Sequence, residues 1–207
     1  LSGDNDQLQA MCKQLFQFFN FIGKWDDQIW LQEQAEARAL GAGDKDNAGE
    51  RAYLAGITYY QLGQPEKVLD CAFRAAEHLQ KSTPHLKTWA IRLRGLGHQL
   101  EKDYLAAIAA YREAFEIHRS IYPESITVAI ALNDLAGAES ENKDYTSAEY
   151  NFSEALRIAK KVNYPEGVAS YTGNLAELAL NRKQWTAAET LARKALALAE
   201  KIGRLEL

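Results

Sequence analysis

Residues 143–155 of the 207-residue chain read KDYTSAEYNFSEA, and this stretch decides the fold. A short polar turn leads into the aromatic residue Tyr145, which is followed by Ala148 and then by Ala155. Residues at spacings of three, four and seven share one face of a helix. The pattern therefore predicts a helix that begins at the aromatic residue and presents small side chains to a close neighbour.

The same pattern recurs along the chain. Its clearest further copies start at Trp185 and Tyr104, and looser copies start at Pro65 and Trp25. The alanines that close the copies form a regular series: Ala35, Ala75, Ala114, Ala155 and Ala195. Their intervals are 40, 39, 41 and 40 residues, which indicates an internal repeat of five units.

Each repeat contains two helical patterns, one before the turn and one after it. Leu132 and Leu135 follow helical spacing upstream of the turn at residue 143, and Phe152 and Ala155 do so downstream. The predicted helices pair as 7–22 with 25–40, 47–62 with 65–81, 85–101 with 104–120, 125–142 with 145–161, and 166–182 with 185–203. Because one hairpin cannot bury both of its apolar faces, neighbouring hairpins must stack into an all-α solenoid.

Composition agrees with this fold and excludes several others. The chain has 33 Ala and 25 Leu but only four Val, so helix formers dominate and a sheet is not expected. Its 47% hydrophobic and 25% charged residues are ordinary for a globular protein. No run approaches the roughly 20 apolar residues of a membrane helix, so we expect no membrane partner.

Charge and cysteine content indicate which classes of partner and which cellular compartment to expect. The net charge of the chain is −4, so we expect no basic surface of the kind that binds the phosphate backbone of a nucleic acid. We therefore expect no nucleic-acid partner. Cys12 and Cys71 lie 59 residues apart inside helical patterns, which favours buried thiols over a disulfide framework. These features predict a reducing, cytoplasmic location.

Catalytic and metal-binding patterns are not recognisable in the sequence. The four histidines are dispersed, without the spacing of metal ligands: His78, His85, His98 and His118. The glycine-rich stretch 41–45 lacks the Gly-Lys-Ser/Thr of a phosphate loop and favours a turn between repeats. We therefore expect no catalytic site, no metal and no cofactor.

The repeat resembles the tetratricopeptide repeat (TPR), whose first helix carries a large residue, Leu-Gly/Ala and another large residue, and whose second helix carries Ala, an aromatic residue and Ala. The best copy comprises Leu132, Leu135, Ala136, Tyr145, Ala148, Phe152 and Ala155. The resemblance covers about residues 9–203. It implies one right-handed α-solenoid domain over residues 1–207, with repeats at about 9–48, 49–87, 88–128, 129–168 and 169–207.

The period of about 40 residues exceeds the usual TPR length of about 34. This longer form resembles the repeats of kinesin light chains, Pins-type polarity adaptors and bacterial STAND-type signalling ATPases, and residues 25–32 are most similar to the STAND sensor repeats. The resemblance implies a non-enzymatic scaffold that binds a peptide or protein, as the sensor or partner-binding region of a larger bacterial signalling protein. The alternative is a regulatory module attached to an enzyme domain outside this sequence.

In the resembled family, partners bind a concave groove lined by the first helix of each hairpin. Carried onto this sequence, the implied groove residues are Lys13, Gln17, Asn20, Tyr53, Tyr60, Trp89, Arg92, Gln99, Asn133, Asp134, Asn174 and Glu177. The four Tyr, Trp and Arg members are expected to anchor a partner, because these residue types dominate interface hot spots. Asn133 and Asn174 are expected to pair with its backbone, because amides both donate and accept hydrogen bonds.

The two ends of the repeat array are unusually apolar. The first helix carries Leu8, Met11 and Phe18, and the last carries Leu191 and Leu196. A solenoid end in water should have a polar outer face. The chain also begins without Met, and we expect continuation into further repeats or domains of a longer polypeptide. Self-association through the apolar end helices is the competing interpretation.

Overall fold

The computed structural model describes residues 2–203, with side chains described from residue 5. The end of the fifth predicted repeat, residues 204–207, lies outside the described residues. Ten α-helices cover the described range: α1 Ser2–Ile22, α2 Trp25–Gly41, α3 Lys45–Gln61, α4 Pro65–His78, α5 Pro84–Leu100, α6 Tyr104–Ile121, α7 Ile126–Glu141, α8 Tyr145–Lys161, α9 Pro165–Asn181 and α10 Trp185–Lys201. A 3-10 helix, Leu79–Lys81, follows α4.

All ten predicted helices are confirmed, and the largest difference is at the start of α1. This helix begins at Ser2 instead of residue 7, because hydrogen bonds fix its first turns where no apolar pattern exists. Asn5 Nδ2 donates to Asp44 Oδ2 at 3.2 Å, and Gln9 Nε2 donates to the Ala35 carbonyl at 3.0 Å. Both asparagine and glutamine side chains are buried.

The turn inside each hairpin uses a residue with positive φ, which reverses the chain in very few residues. These residues are Gly23, Gly63, Lys102, Lys143 and Lys183, with φ between +58° and +70°. The second helix of each hairpin begins two residues later. The polar turn recognised in the sequence is therefore a short turn with left-handed backbone conformation between the paired helices.

The chain forms two compact units, the first ending at Asp103 and the second beginning at Tyr104. In the first unit α1 packs on α2, α2 on α3, α3 on α4 and α4 on α5, and α3 also packs on α5. In the second unit α6 packs on α7, α7 on α8, α8 on α9 and α9 on α10, and α7 also packs on α9. This sequential packing of hairpins confirms the predicted all-α solenoid class.

The repeated small residues lie where helices cross. All five alanines of the register series are buried, and so are the residues three positions after the start of each copy: Gln28, Val68, Ala107, Ala148 and Ala188. Small side chains let neighbouring helix backbones approach closely and keep the interior tightly packed. The alanine excess of the composition therefore has a structural role.

Both cysteines are buried and free, as the sequence predicted. Burial raises the pKa of the Cys71 thiol to about 11, which keeps it protonated at neutral pH. Within the described range, every helix is too short or too polar to cross a lipid bilayer.

Candidate partner-binding surface

An aromatic cluster of three side chains lies on the first helices of the first unit: Tyr53 of α3, and Trp89 and Arg92 of α5. The Tyr53 and Trp89 rings stack, with centroids 5.7 Å apart and planes inclined by 25°. Arg92 Nη1 donates a hydrogen bond to Tyr53 Oη at 2.6 Å. All three residues are half-buried, so each keeps part of its surface in water.

The start of α5 positions Trp89. Thr83 caps this helix, with its Oγ1 accepting from the Leu86 N–H at 3.4 Å, and Pro84 supplies a first helical residue whose φ is already suitable. His85 lies one turn before Trp89 and meets its ring edge-on at 6.3 Å. Trp89 is therefore contacted by His85 as well as by Tyr53, which restricts its rotamers.

The aromatic cluster suits recognition of another polypeptide. Stacked aromatic rings offer a large, rigid contact area that loses little conformational entropy on binding. A guanidinium adds a fixed charge and directional donors beside that area. The arrangement can therefore bury an apolar side chain and orient a polar group next to it.

The other predicted residues of the first unit extend this face. Tyr60 and Gln99 follow Tyr53 and Arg92 by seven residues, which places each pair on one side of its helix, and both are half-buried. On α1, Lys13 is exposed, with its Nζ 3.9 Å from Glu50 Oε1 of α3.

The last two predicted residues of α1 differ in their surroundings. Gln17 is exposed to solvent. Asn20 is half-buried, and its Oδ1 is buried with no hydrogen-bond partner among the described residues.

In the second unit the two predicted asparagines meet. Asn174 Nδ2 of α9 donates to Asn133 Oδ1 of α7 at 2.6 Å. This bond holds the two amides in place and does not use Nδ2 of Asn133 or Oδ1 of Asn174. Asp134 lies beside the pair and is half-buried, and Glu177 of α9 is exposed. The pair can offer one donor and one acceptor to a peptide backbone.

Sequence reasoning found these residues singly and missed their contacts. The stack of Tyr53 on Trp89 and the pairing of the two asparagines depend on how α3 meets α5 and how α7 meets α9, which periodicity does not specify. His85 was also missed, although its place four residues before Trp89 is a usable signal. Among the described residues, no three His, Cys, Asp or Glu side chains converge as a metal site.

Comparisons with known proteins agree with the geometry. Two family models, both described as tetratricopeptide repeat, match residues 88–161 and 168–202, together more than half of the chain. No curated protein is significantly similar in sequence.

Several solved structures share the fold. BtubC (BKLC) from P. vanneervenii is 17% identical, with all of this chain aligned to 86% of that one and a TM-score of 0.76. A putative kinesin light chain repeat protein from Podosopora anserina is 14% identical, with 96% of each chain aligned and a TM-score of 0.69. A Rap protein complexed with Competence and Sporulation Factor is 15% identical, with 93% of this chain aligned to 54% of that one and a TM-score of 0.80.

Repeated hairpins, buried alanines at a near-constant period and two matching family models lead to one assignment. This fold is typically a non-catalytic scaffold for protein interactions. The chain belongs to the tetratricopeptide repeat family.

Proposed function

We propose that this protein is a non-enzymatic scaffold that binds a peptide or protein segment on the faces of its first helices. The observation that carries the proposal is the aromatic cluster of Tyr53, Trp89 and Arg92. Tyr, Trp and Arg are the residue types that most often dominate binding energy. Here all three are held in contact while remaining half-exposed, so a partner meets a preformed anchor site.

Three other exposed aromatic residues lie on second helices. Trp30 of α2, Tyr150 of α8 and Trp185 of α10 are each more exposed than the cluster residues. They provide natural controls, because they match the cluster in residue type and differ in the helix that carries them.

We further propose that the protein is the sensor or partner-binding region of a larger bacterial signalling protein in the cytoplasm. Support comes from the Rap protein of the same fold, which is complexed with Competence and Sporulation Factor. The two free, buried cysteines suit a reducing compartment. The net charge of −4 favours a protein partner over a nucleic acid.

Peptide selection followed by affinity measurement tests the binding surface. A random peptide library is selected on the immobilised chain, and the dissociation constant of a selected peptide is measured by fluorescence polarisation. Trp89→Ala is expected to weaken binding about thirtyfold, which corresponds to the roughly 2 kcal/mol of a hot-spot residue. Thermal unfolding of the variant checks that it remains folded.

Trp30→Ala is the matched control, since it removes the same side chain from a second helix. It should leave the dissociation constant within about twofold, because it does not alter the first-helix face. Equal binding by wild type and the Trp89→Ala variant, or loss of binding only in the Trp30→Ala variant, would contradict the proposed surface.

A further inference from the structure

The last hairpin, α9–α10, carries an exposed, mainly apolar groove whose lining includes Glu177, one of the predicted partner-binding residues. The aromatic cluster that carries the proposed function takes no part in this groove. A cavity of about 450 Å³ lies along this hairpin, lined by Ala176 of α9 and by Trp185, Ala188 and Ala192 of α10. Trp185 is 63% exposed. A contiguous apolar surface of this kind marks a contact site for another polypeptide.

The preceding hairpin, α7–α8, shows what fills such a groove. Lys143 and Lys183 occupy the same positive-φ turn position, so residues 40 apart correspond. The equivalents of the four lining residues are Ala136, Tyr145, Ala148 and Phe152. Leu178 of α9 is buried in one cluster with the two alanines and Phe152, and Leu175 of α9 packs against the same cluster. The groove of one hairpin therefore receives leucines from the next first helix.

The first helix of the chain carries matching side chains on an exposed face. Gly23 occupies the positive-φ turn position after α1, and Lys183 occupies the same position after α9. Residues 160 apart in these two helices therefore correspond. The α9 residues that pack on the preceding hairpin are Val168, Tyr171, Leu175 and Leu178. Their equivalents on α1 are Leu8, Met11, Leu15 and Phe18. All four are apolar, and Met11 and Phe18 are 57% and 55% exposed.

The sizes of the facing side chains also compensate. Phe152 in the filled groove corresponds to the much smaller Ala192 in the open one, and Leu178 corresponds to the larger Phe18. The smaller residue in the groove wall is thus matched by a larger residue on the helix, so the total side-chain volume available for packing is similar. We infer that α1 of a second copy of this chain docks into the α9–α10 groove, so that copies associate head to tail.

This contact is heterologous, because each copy uses two different surfaces. Glu177 and Glu189 also line the groove, but the cationic partner seen in the preceding hairpin is missing. The packing of α9 on α8 includes an ion pair of Arg182 with Glu149, whose equivalents are Ile22 and Glu189. An isoleucine cannot make that pair, so the association is expected to change little with salt.

Sedimentation velocity on the full chain tests the inference through complementary variants. Wild type should show a mass that rises with concentration above the 23.2 kDa of one copy. Phe18→Glu should block the helix side, and Ala192→Arg should block the groove side. Each variant alone should stay at the mass of one copy. An equal mixture should form a complex of one copy of each, because the mixture retains one intact helix and one intact groove.

Two controls keep the result specific. Tyr150→Glu on α8 and Ala197→Arg on α10 introduce the same charges at other exposed positions and should associate like wild type. A wild type that stays at the mass of one copy at every concentration would overturn the inference, leaving the groove to a different partner. Association of the Ala192→Arg variant alone would also overturn it, since that result requires a contact that does not use the groove. A steep loss of association with added salt would do the same.

Discussion

Gln28 lies three positions after the start of its copy of the repeat, where the other four copies have Ala or Val. It is fully buried, and neither its Nε2 nor its Oε1 has a hydrogen-bond partner among the described residues. A buried polar group without a partner costs about 1–3 kcal/mol. Gln28 is therefore a point of weakness in the first hairpin.

Replacing Gln28 with Met should raise the free energy of unfolding by about 1–2 kcal/mol, because methionine keeps the length of the side chain and removes the unpaired groups. Urea denaturation measures the change. Gln9→Met is the matched control and should lower stability, since Gln9 Nε2 donates to Asn5 Oδ1 and to the Ala35 carbonyl. The same sign for both substitutions would contradict this account of Gln28.

The positive-φ turns offer a second test with single substitutions. Lys143 has φ +65°, a conformation that costs a residue with a side chain about 1–2 kcal/mol, while Gly63 occupies the equivalent position without that strain. Lys143→Gly should raise the free energy of unfolding by about 0.5–1 kcal/mol, after the extra chain entropy of glycine is subtracted. Gly63→Ala should lower it by a similar amount, and thermal unfolding distinguishes the two signs. A loss of stability in Lys143→Gly would show that the lysine side chain stabilises the turn.

Between helices, α2 and α4 are joined by a buried ionic contact. Glu36 is almost fully buried, and its carboxylate accepts from Arg74 Nη1 at 2.5 Å and lies 3.0 Å from His78 Nε2. Removing one partner of a buried ion pair leaves the other charge without compensation. The contact is thus expected to hold the first and second hairpins together.

Glu36→Gln should lower the free energy of unfolding by about 3 kcal/mol, as measured by urea denaturation. The control is Glu154→Gln, which breaks an exposed pair with Arg157 on α8 and should change stability by less than about 1 kcal/mol. Equal effects of the two substitutions would show that burial of Glu36 does not strengthen its contact.

A second buried carboxylate, Glu139 of α7, should make stability depend on pH. Burial raises its pKa, although Asn151 Nδ2 of α8 donates to its Oε2 at 2.7 Å. A raised folded-state pKa means that stability is fully present below the ordinary carboxyl pKa and falls as pH rises through the folded value. Glu139→Gln should therefore stabilise the protein at pH 7 and not at pH 3. Thermal unfolding at both pH values measures this, and an equal effect at the two would contradict it.

Along the whole chain, the sequence was most informative where the repeat is regular. Tyr145, Ala148 and Ala155 identified the turn and the buried face, because the same physical requirement recurs in every hairpin. The interior of the first hairpin was not predictable in this way. Gln28 and Gln32 of α2 are buried there, and Arg51 Nη1 of α3 donates to Gln32 Oε1 at 3.2 Å. Such contacts between helices have no signature in local periodicity.

The sequence likewise predicted part of the candidate surface and missed the rest. The positions of the candidate residues on the first helices followed from the family resemblance and from helical spacing. Trp89 is half-buried, as a binding residue on a helix surface can be. The stack of Tyr53 on Trp89 requires the distance between α3 and α5, and the pairing of Asn133 with Asn174 requires that between α7 and α9. Such contacts between residues some 40 positions apart emerge only when hairpins are stacked in three dimensions.

The most direct test of partner binding on first helices uses the four tryptophans as separate reporters. Trp89 lies on the first-helix face, while Trp25, Trp30 and Trp185 lie on second helices. Their indole N–H signals are followed by nitrogen-15 NMR while a library-selected peptide is added to the chain. We expect the Trp89 signal to shift with peptide concentration and the other three to stay in place. Movement of a second-helix signal with Trp89 unchanged would contradict the assignment of binding to the first helices.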